Sequence, residues 1–108
     1  MNSPAADVAL LTDHRYTAGV AAPDDWYLGN ILADDGLLQA ALRARGLSSV
    51  RVDWADPDID WSRFGSAVFR TTWDYFDHQA EFMAWLDRVA ACTRLCNPAA
   101  LVRWNIDK

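Results

Sequence analysis

The sequence has no run of Lys and Arg, and its formal net charge is −5. An acidic chain without a basic patch lacks the attraction that binds proteins to nucleic acids and anionic membranes. No uninterrupted apolar stretch approaches the length that crosses a bilayer, and residues 1–7 lack the basic region and apolar core of a secretion signal. We therefore expect no nucleic-acid partner, no membrane partner and a cytoplasmic location.

Cysteine is also scarce. Cys92 and Cys96 are separated by three residues and have no histidine nearby, which matches neither a zinc site nor a thioredoxin motif. We expect both to be reduced thiols in the core or at a junction, with no metal ligand among them. No Ser or Cys stands in a nucleophile-elbow pattern, so His14 and His78 are interpreted as ordinary surface residues.

Short apolar runs and helical patterns alternate along the 108 residues, a length that fits one small domain. Strands are predicted at 8–12, 50–54, 67–72 and 94–96, and helices from Asp34 or Asp35 to a stop at Gly46 and over 78–91. Residues 14–31 are predicted to form a long, semi-ordered loop over the domain edge. The pair Asp34–Asp35 is interpreted as the solvated start of a helix.

This order of elements predicts an α/β fold. Right-handed crossovers between short strands favour a three-layer, Rossmann-like arrangement with a mostly parallel sheet of about four strands in the order 2-1-3-4. Ligands of such sheets bind at the carboxyl ends of the strands, where this sequence places Asp13, Trp54, residues 70–75 and Asn97. Six Trp residues favour large buried anchors, with those at 54, 61 and 73 near strand ends.

The end of the third predicted strand offers a cation, hydroxyls, an aromatic wall and a carboxylate. These groups, Arg70, Thr71, Thr72, Trp73 and Asp74, could hold a small zwitterionic substrate. The alternative is structural: Arg70 pairs with Asp74, Thr72 or Asp74 caps a turn, and Trp73 belongs to the core.

The last six residues have the pattern of a helix that is about to begin. Asn105 suits an N-cap, Asp107 suits a first turn, and Lys108 would project where a phosphate could meet both a cation and free backbone N–H groups. We expect further chain downstream in the complete protein.

Taken in order, these motifs resemble the N-terminal region of bacterial ATP-grasp proteins of glutathione-synthetase-like type, and more distantly the D-cycloserine-forming cyclo-ligases. The motifs that carry the resemblance are residues 8–13, 56–61, 70–75, 97–98 and 103–108. The resemblance spans almost the whole chain and implies a single pre-ATP-grasp domain over residues 1–108, with the ATP-grasp catalytic lobes lying elsewhere.

The resemblance also implies a function. Complete ATP-grasp ligases use ATP and Mg²⁺ to activate a carboxylate as an acyl phosphate, which an amine or another nucleophile then attacks. By resemblance Lys108 is a nucleotide-binding candidate, whereas the magnesium ligands belong to the lobes outside this chain. We expect Arg70 to clamp an amino-acid or carboxylate substrate, with Thr71, Thr72, Trp73, Asp74 and Asp13 beside it, and we expect no catalytic residue and no tightly bound cofactor in the isolated fragment.

A second hypothesis comes from a different class of protein. The chain could be a free-standing α/β binding or interaction module without catalysis, with its aromatic surface covered in a homodimer or against the absent lobes.

Overall fold

The fold is built from four short strands and two helices. The structure, a computed structural model, describes residues 5–72 and 77–95. The strands are β1 (Ala6–Thr12), β2 (Ser49–Asp53), β3 (Phe64–Thr71) and β4 (Arg94–Leu95), and the helices are α1 (Trp26–Ala44) and α2 (Gln79–Ala90). Single 3₁₀ turns occur at His14–Tyr16 and Trp61–Arg63.

The four strands form one parallel sheet in the order β2-β1-β3-β4. This confirms the predicted α/β class and strand order. β1 lies between β2 and β3, and its residues Ala9, Leu10 and Leu11 are fully buried, as expected for a central strand covered on both faces.

The two faces of the sheet carry different layers. Side chains alternate along β1, so Ala9 and Leu11 point to one face and Leu10 and Thr12 to the other. The first face packs against α2, and the largest members of this core are Trp54, Trp61, Phe64, Phe82, Trp85, Leu86 and Val89. The opposite face is covered by α1, whose buried residues are Leu28, Ile31 and Asp35. The prediction that Trp54 and Trp61 are buried anchors is confirmed.

The predicted start of α1 was wrong. The helix begins at Trp26, inside the segment expected to be a loop over residues 14–31, because the Asp25 carboxylate caps it by accepting a hydrogen bond from the Leu28 N–H at 3.1 Å. The predicted stop is confirmed: Gly46 has a φ of 80°, and the next N–H, that of Leu47, donates to the Leu42 carbonyl at 2.9 Å.

The remaining differences are smaller. β3 starts at Phe64, earlier than the predicted 67, and α2 lies within the predicted 78–91. Cys92 is exposed just after α2, at a junction and not in the core, while Cys96 lies outside the described residues. Within 5–72 and 77–95, no helix is both long enough and apolar enough to cross a bilayer.

Candidate functional site

The carboxyl ends of three neighbouring strands meet at one edge of the sheet. Thr12, the last residue of β1, is in register with Asp53 of β2 and with Thr71 of β3. Asp13 follows immediately, and Thr72 follows β3. Thr12, Asp13 and Thr72 are all buried. The topology therefore brings together Asp13, Arg70, Thr71 and Thr72, which the sequence placed at a common edge.

Asp13 is buried, and its carboxylate pairs with Arg15. Its carboxylate accepts hydrogen bonds from the Arg15 backbone N–H at 3.0 Å, from Arg15 Nε at 3.1 Å and from Arg15 Nη2 at 2.7 Å. The guanidinium of Arg15 thus binds the Asp13 carboxylate in a bidentate geometry, which makes the ion pair strong and fixes its orientation. Asp13 thus fixes the 3₁₀ turn after β1, and its charge is paired with that of Arg15.

Arg70 lies at an irregularity in the sheet. Leu11 is in register with Phe69 and Thr12 with Thr71, so Arg70 is the extra residue of a bulge in β3. Bulges re-aim side chains and are frequent beside binding sites. The Arg70 side chain is 32 % exposed, so part of it is accessible from solvent.

The partner of Arg70 is Asp35. Arg70 Nε donates to Asp35 Oδ1 at 2.9 Å, across a sequence separation of 35 residues. In the part of the chain that the structure describes, neither Nη atom of Arg70 has a hydrogen-bond partner. Asp74, the partner of Arg70 in the predicted alternative, lies outside the described residues.

Asp35 also binds a second arginine, on the other side of β1. Arg51 Nε donates to Asp35 Oδ2 at 2.7 Å, and the Arg51 Nη2 and Nη1 atoms donate to the carbonyls of Tyr16 at 2.6 Å and Ala18 at 3.3 Å. The interpretation of Asp35 as a solvated helix start was wrong, since its side chain is 2 % exposed. The reason is that α1 begins earlier, which turns Asp35 toward the sheet with Leu28 and Ile31.

Three aromatic rings lie where α1 and the turn after β1 meet. Tyr16 stacks on Tyr27 with ring centroids 5.9 Å apart, Trp26 lies 5.9 Å from Tyr27, and the Arg15 guanidinium lies 5.1 Å from the Tyr16 ring centroid. Burial, more than any neighbouring charge, raises the pKa of the Tyr16 phenol. The Arg51 contact with the Tyr16 carbonyl joins this aromatic group to the arginine pair.

The other predicted residues lie wholly or partly outside the described structure. Thr71 belongs to β3, but its side chain is outside the described part of the structure, as are Trp73, Asp74 and Lys108. Within residues 5–72 and 77–95, no group of three or more His, Cys, Asp or Glu side chains is arranged to hold a metal ion.

Comparison with known proteins gives the family. Residues 8–97 match the family model described as "D-cycloserine synthetase DcsG, N-terminal domain". The chain belongs to the DcsG N-terminal domain family. The cycloserine biosynthesis protein DcsG of Streptomyces lavendulae is 40 % identical over 101 residues, which are 94 % of this chain and 30 % of that protein. The resemblance to cycloserine-forming cyclo-ligases is thereby confirmed.

A solved structure agrees with the fold. The crystal structure of D-cycloserine synthetase DcsG matches with a TM-score of 0.65 and 38 % identity, covering 90 % of this chain and 29 % of that one. The chain thus spans less than a third of the length of the DcsG proteins that it matches.

Proposed function

We propose that this DcsG-type domain is the substrate-side N-terminal domain of an ATP-grasp ligase that joins a carboxylate to an amine or a related nucleophile. The membership of the family and the name D-cycloserine synthetase support a ligase of small amino-acid derivatives. In this proposal residues 1–108 form one domain, and the lobes that bind ATP lie in further chain.

The observation that carries the proposal is the partly exposed side chain of Arg70. Its Nε donates a hydrogen bond to Asp35, and its two Nη groups form a fork that has no hydrogen-bond partner among the described residues. A guanidinium fork matches the two oxygens of a carboxylate better than an ammonium does. Thr72, which is buried, lies two residues further along the chain. Thr71, Trp73 and Asp74 complete the proposed substrate site.

The described residues support a carboxylate ligand through the Nη groups of Arg70. Lys108 is the proposed contact to nucleotide phosphates, and no magnesium ligand is assigned to this chain. ATP with Mg²⁺ would supply the phosphoryl group that turns the substrate carboxylate into an acyl phosphate.

The first experiment is a binding titration of the 108-residue chain with D-serine, L-serine and acetate, followed by the ¹⁵N and ¹H shifts of the arginine Nε–H groups. Binding should shift the Arg70 signal. Arg70→Lys should weaken carboxylate binding about tenfold, because Lys keeps the charge but loses the fork. Since this variant has no Arg70 Nε–H signal, its binding is followed by backbone amide shifts. Arg88→Lys is the matched control, since Arg88 is exposed on α2 on the other face of the sheet. Equal affinity in the two variants would remove Arg70 from the site.

The isolated chain should also be catalytically silent. Incubation with ATP, Mg²⁺ and the same amino acids should release no phosphate above the background of a buffer control. Turnover by the isolated chain would show that catalysis does not depend on further lobes.

A second candidate function rests on exposed apolar side chains. Val20, Trp26 and Leu37 are 84 %, 73 % and 73 % exposed. Such residues suit an interaction module whose surface is covered by a second copy or by further domains. Sedimentation at low micromolar concentration separates the two proposals: a stable dimer favours the interaction module, and a monomer favours the substrate-side domain.

A further inference from the structure

One buried carboxylate connects the two arginines on either side of the central strand. β2 and β3 flank β1, and Arg51 and Arg70 extend from them toward the layer of α1. Asp35 reaches between them and accepts one Nε–H from each, at 2.7 Å and 2.9 Å. Each oxygen of the Asp35 carboxylate therefore accepts a hydrogen bond from a different guanidinium group.

The two arginines have different surroundings. The Arg51 side chain is 10 % exposed, and its Nη atoms are used by the Tyr16 and Ala18 carbonyls. The Arg70 side chain is 32 % exposed, and in the described structure its Nη atoms are without partners. Every nitrogen of the Arg51 guanidinium therefore has a partner within the protein, whereas both Nη groups of Arg70 are available to a ligand. These two Nη groups are called the open fork below.

The second arginine, Arg51, changes the net charge of the cluster that it forms with Asp35 and Arg70. An isolated Asp35–Arg70 pair would be neutral and would attract an anion only weakly. With Arg51 present, two guanidinium groups face one carboxylate, and the cluster keeps one net positive charge beside the open fork. Arg51 therefore offsets the charge of Asp35, and Asp35 can hold Arg70 without cancelling its attraction for a ligand.

We propose that Asp35 is the positioning residue of the carboxylate site: it fixes Arg70 through Nε so that the Nη fork faces the carboxyl edge of the sheet, while Arg51 balances its charge. This inference rests on the proposed function of Arg70. Holding the Nε side of a guanidinium restricts its rotation, which lowers the entropy lost when the Nη side binds a carboxylate.

A purely electrostatic role of Asp35 predicts the opposite result, which makes the proposal testable. A negative charge beside Arg70 repels an anionic ligand, so removing it would tighten anion binding if charge alone mattered. If Asp35 acts by positioning, its removal weakens binding. The direction of the change therefore decides between the two roles.

The test measures acetate binding to the 108-residue chain, with the Nε–H signal of Arg70 as a second readout. Asp35→Asn removes the charge, and Asp35→Glu keeps the charge but lengthens the side chain. We expect both to weaken acetate binding, Asp35→Asn by about tenfold, and to speed hydrogen exchange at Arg70 Nε–H. Asp34→Asn, the exposed neighbour on the same helix, should change neither quantity.

Tighter or unchanged binding in Asp35→Asn would overturn the positioning role. If Asp35→Asn does not fold, Asp35→Glu carries the test, because a charge-only role predicts unchanged binding for it. A structural role alone would weaken binding equally in an Arg70→Lys background, whereas positioning predicts a smaller further loss there, since Lys has no guanidinium fork for Asp35 to orient.

The outcomes also separate this inference from the proposed function. If wild-type protein shows no Arg70-dependent binding of any carboxylate, the proposed function fails. If binding depends on Arg70 but exchange at Arg70 Nε–H is the same in Asp35→Asn and wild type, the positioning role fails and the proposed function stands.

Discussion

Substitution of Asp35 by Asn should be among the most destabilising single changes outside the apolar core. The side chain is 2 % exposed and holds two guanidinium groups. Removing one partner of a fully buried ion pair costs about 3–5 kcal/mol. The cost is lower here because Arg70 is partly hydrated and Arg51 keeps its two carbonyl acceptors. We expect the free energy of unfolding to fall by about 2–3 kcal/mol.

Urea denaturation followed by tryptophan fluorescence measures this loss. With a slope of about 1.5 kcal/mol per M for a small domain, the midpoint should fall by roughly 1–2 M. Asp34→Asn makes the same chemical change at the next, exposed position and should leave the midpoint unchanged. Coincident curves for the two variants would refute the argument, because they would show that the Asp35 contacts with Arg51 and Arg70 contribute nothing to stability.

Three further predictions test other parts of the fold. Asp25→Ala should cost about 1 kcal/mol of unfolding free energy by removing the cap of α1, whereas Asp24→Ala should not; equal effects would contradict a helix start at Trp26. Leu86→Ala should cost about 3 kcal/mol because Leu86 is fully buried, and Leu37→Ala should change little; a small effect at Leu86 would contradict the packing of α2. Burial raises the pKa of Tyr16 above its ordinary value of 10.0, so the unfolded chain loses that proton first and stability should fall as the pH rises past about 10, less so in Tyr16→Phe, as urea titrations at each pH would show.

The strands and their order could be predicted because their signal is local. Runs such as 8–12 are apolar on both faces, which is typical of a parallel sheet covered by helices, and the crossover rule then restricts the order. The position of Gly46 could be predicted for the same reason, since a left-handed residue after a helix favours glycine.

The start of α1 is only weakly marked by apolar spacing. Its first turns hold Trp26 and Tyr27, which are exposed, and Gly29, which disfavours helices, so the apolar pattern became clear only after Asp34. The signal that was available is Asp25 as an N-cap followed by Leu28 and Ile31 at helical spacing. Extending that spacing places Asp35 on the buried face.

The arginine pair depended on contacts between distant residues. The motif at 70–75 indicates Arg70 as a candidate, but the partner of Arg70 lies 35 residues away and Arg51 lies 16 residues from the same carboxylate. Local sequence patterns do not report such pairs. Only the register of β1 with β2 and β3 brings Arg51 and Arg70 to either side of Asp35.

The most direct measurement is a crystal structure of the chain with the amino acid that binds best in the titration. The account predicts the ligand carboxylate within hydrogen-bond distance of both Nη atoms of Arg70, with Arg70 Nε still donating to Asp35. A carboxylate bound away from Arg70, or an Arg70 side chain turned from the carboxyl edge of the sheet while ligand is bound, would contradict it.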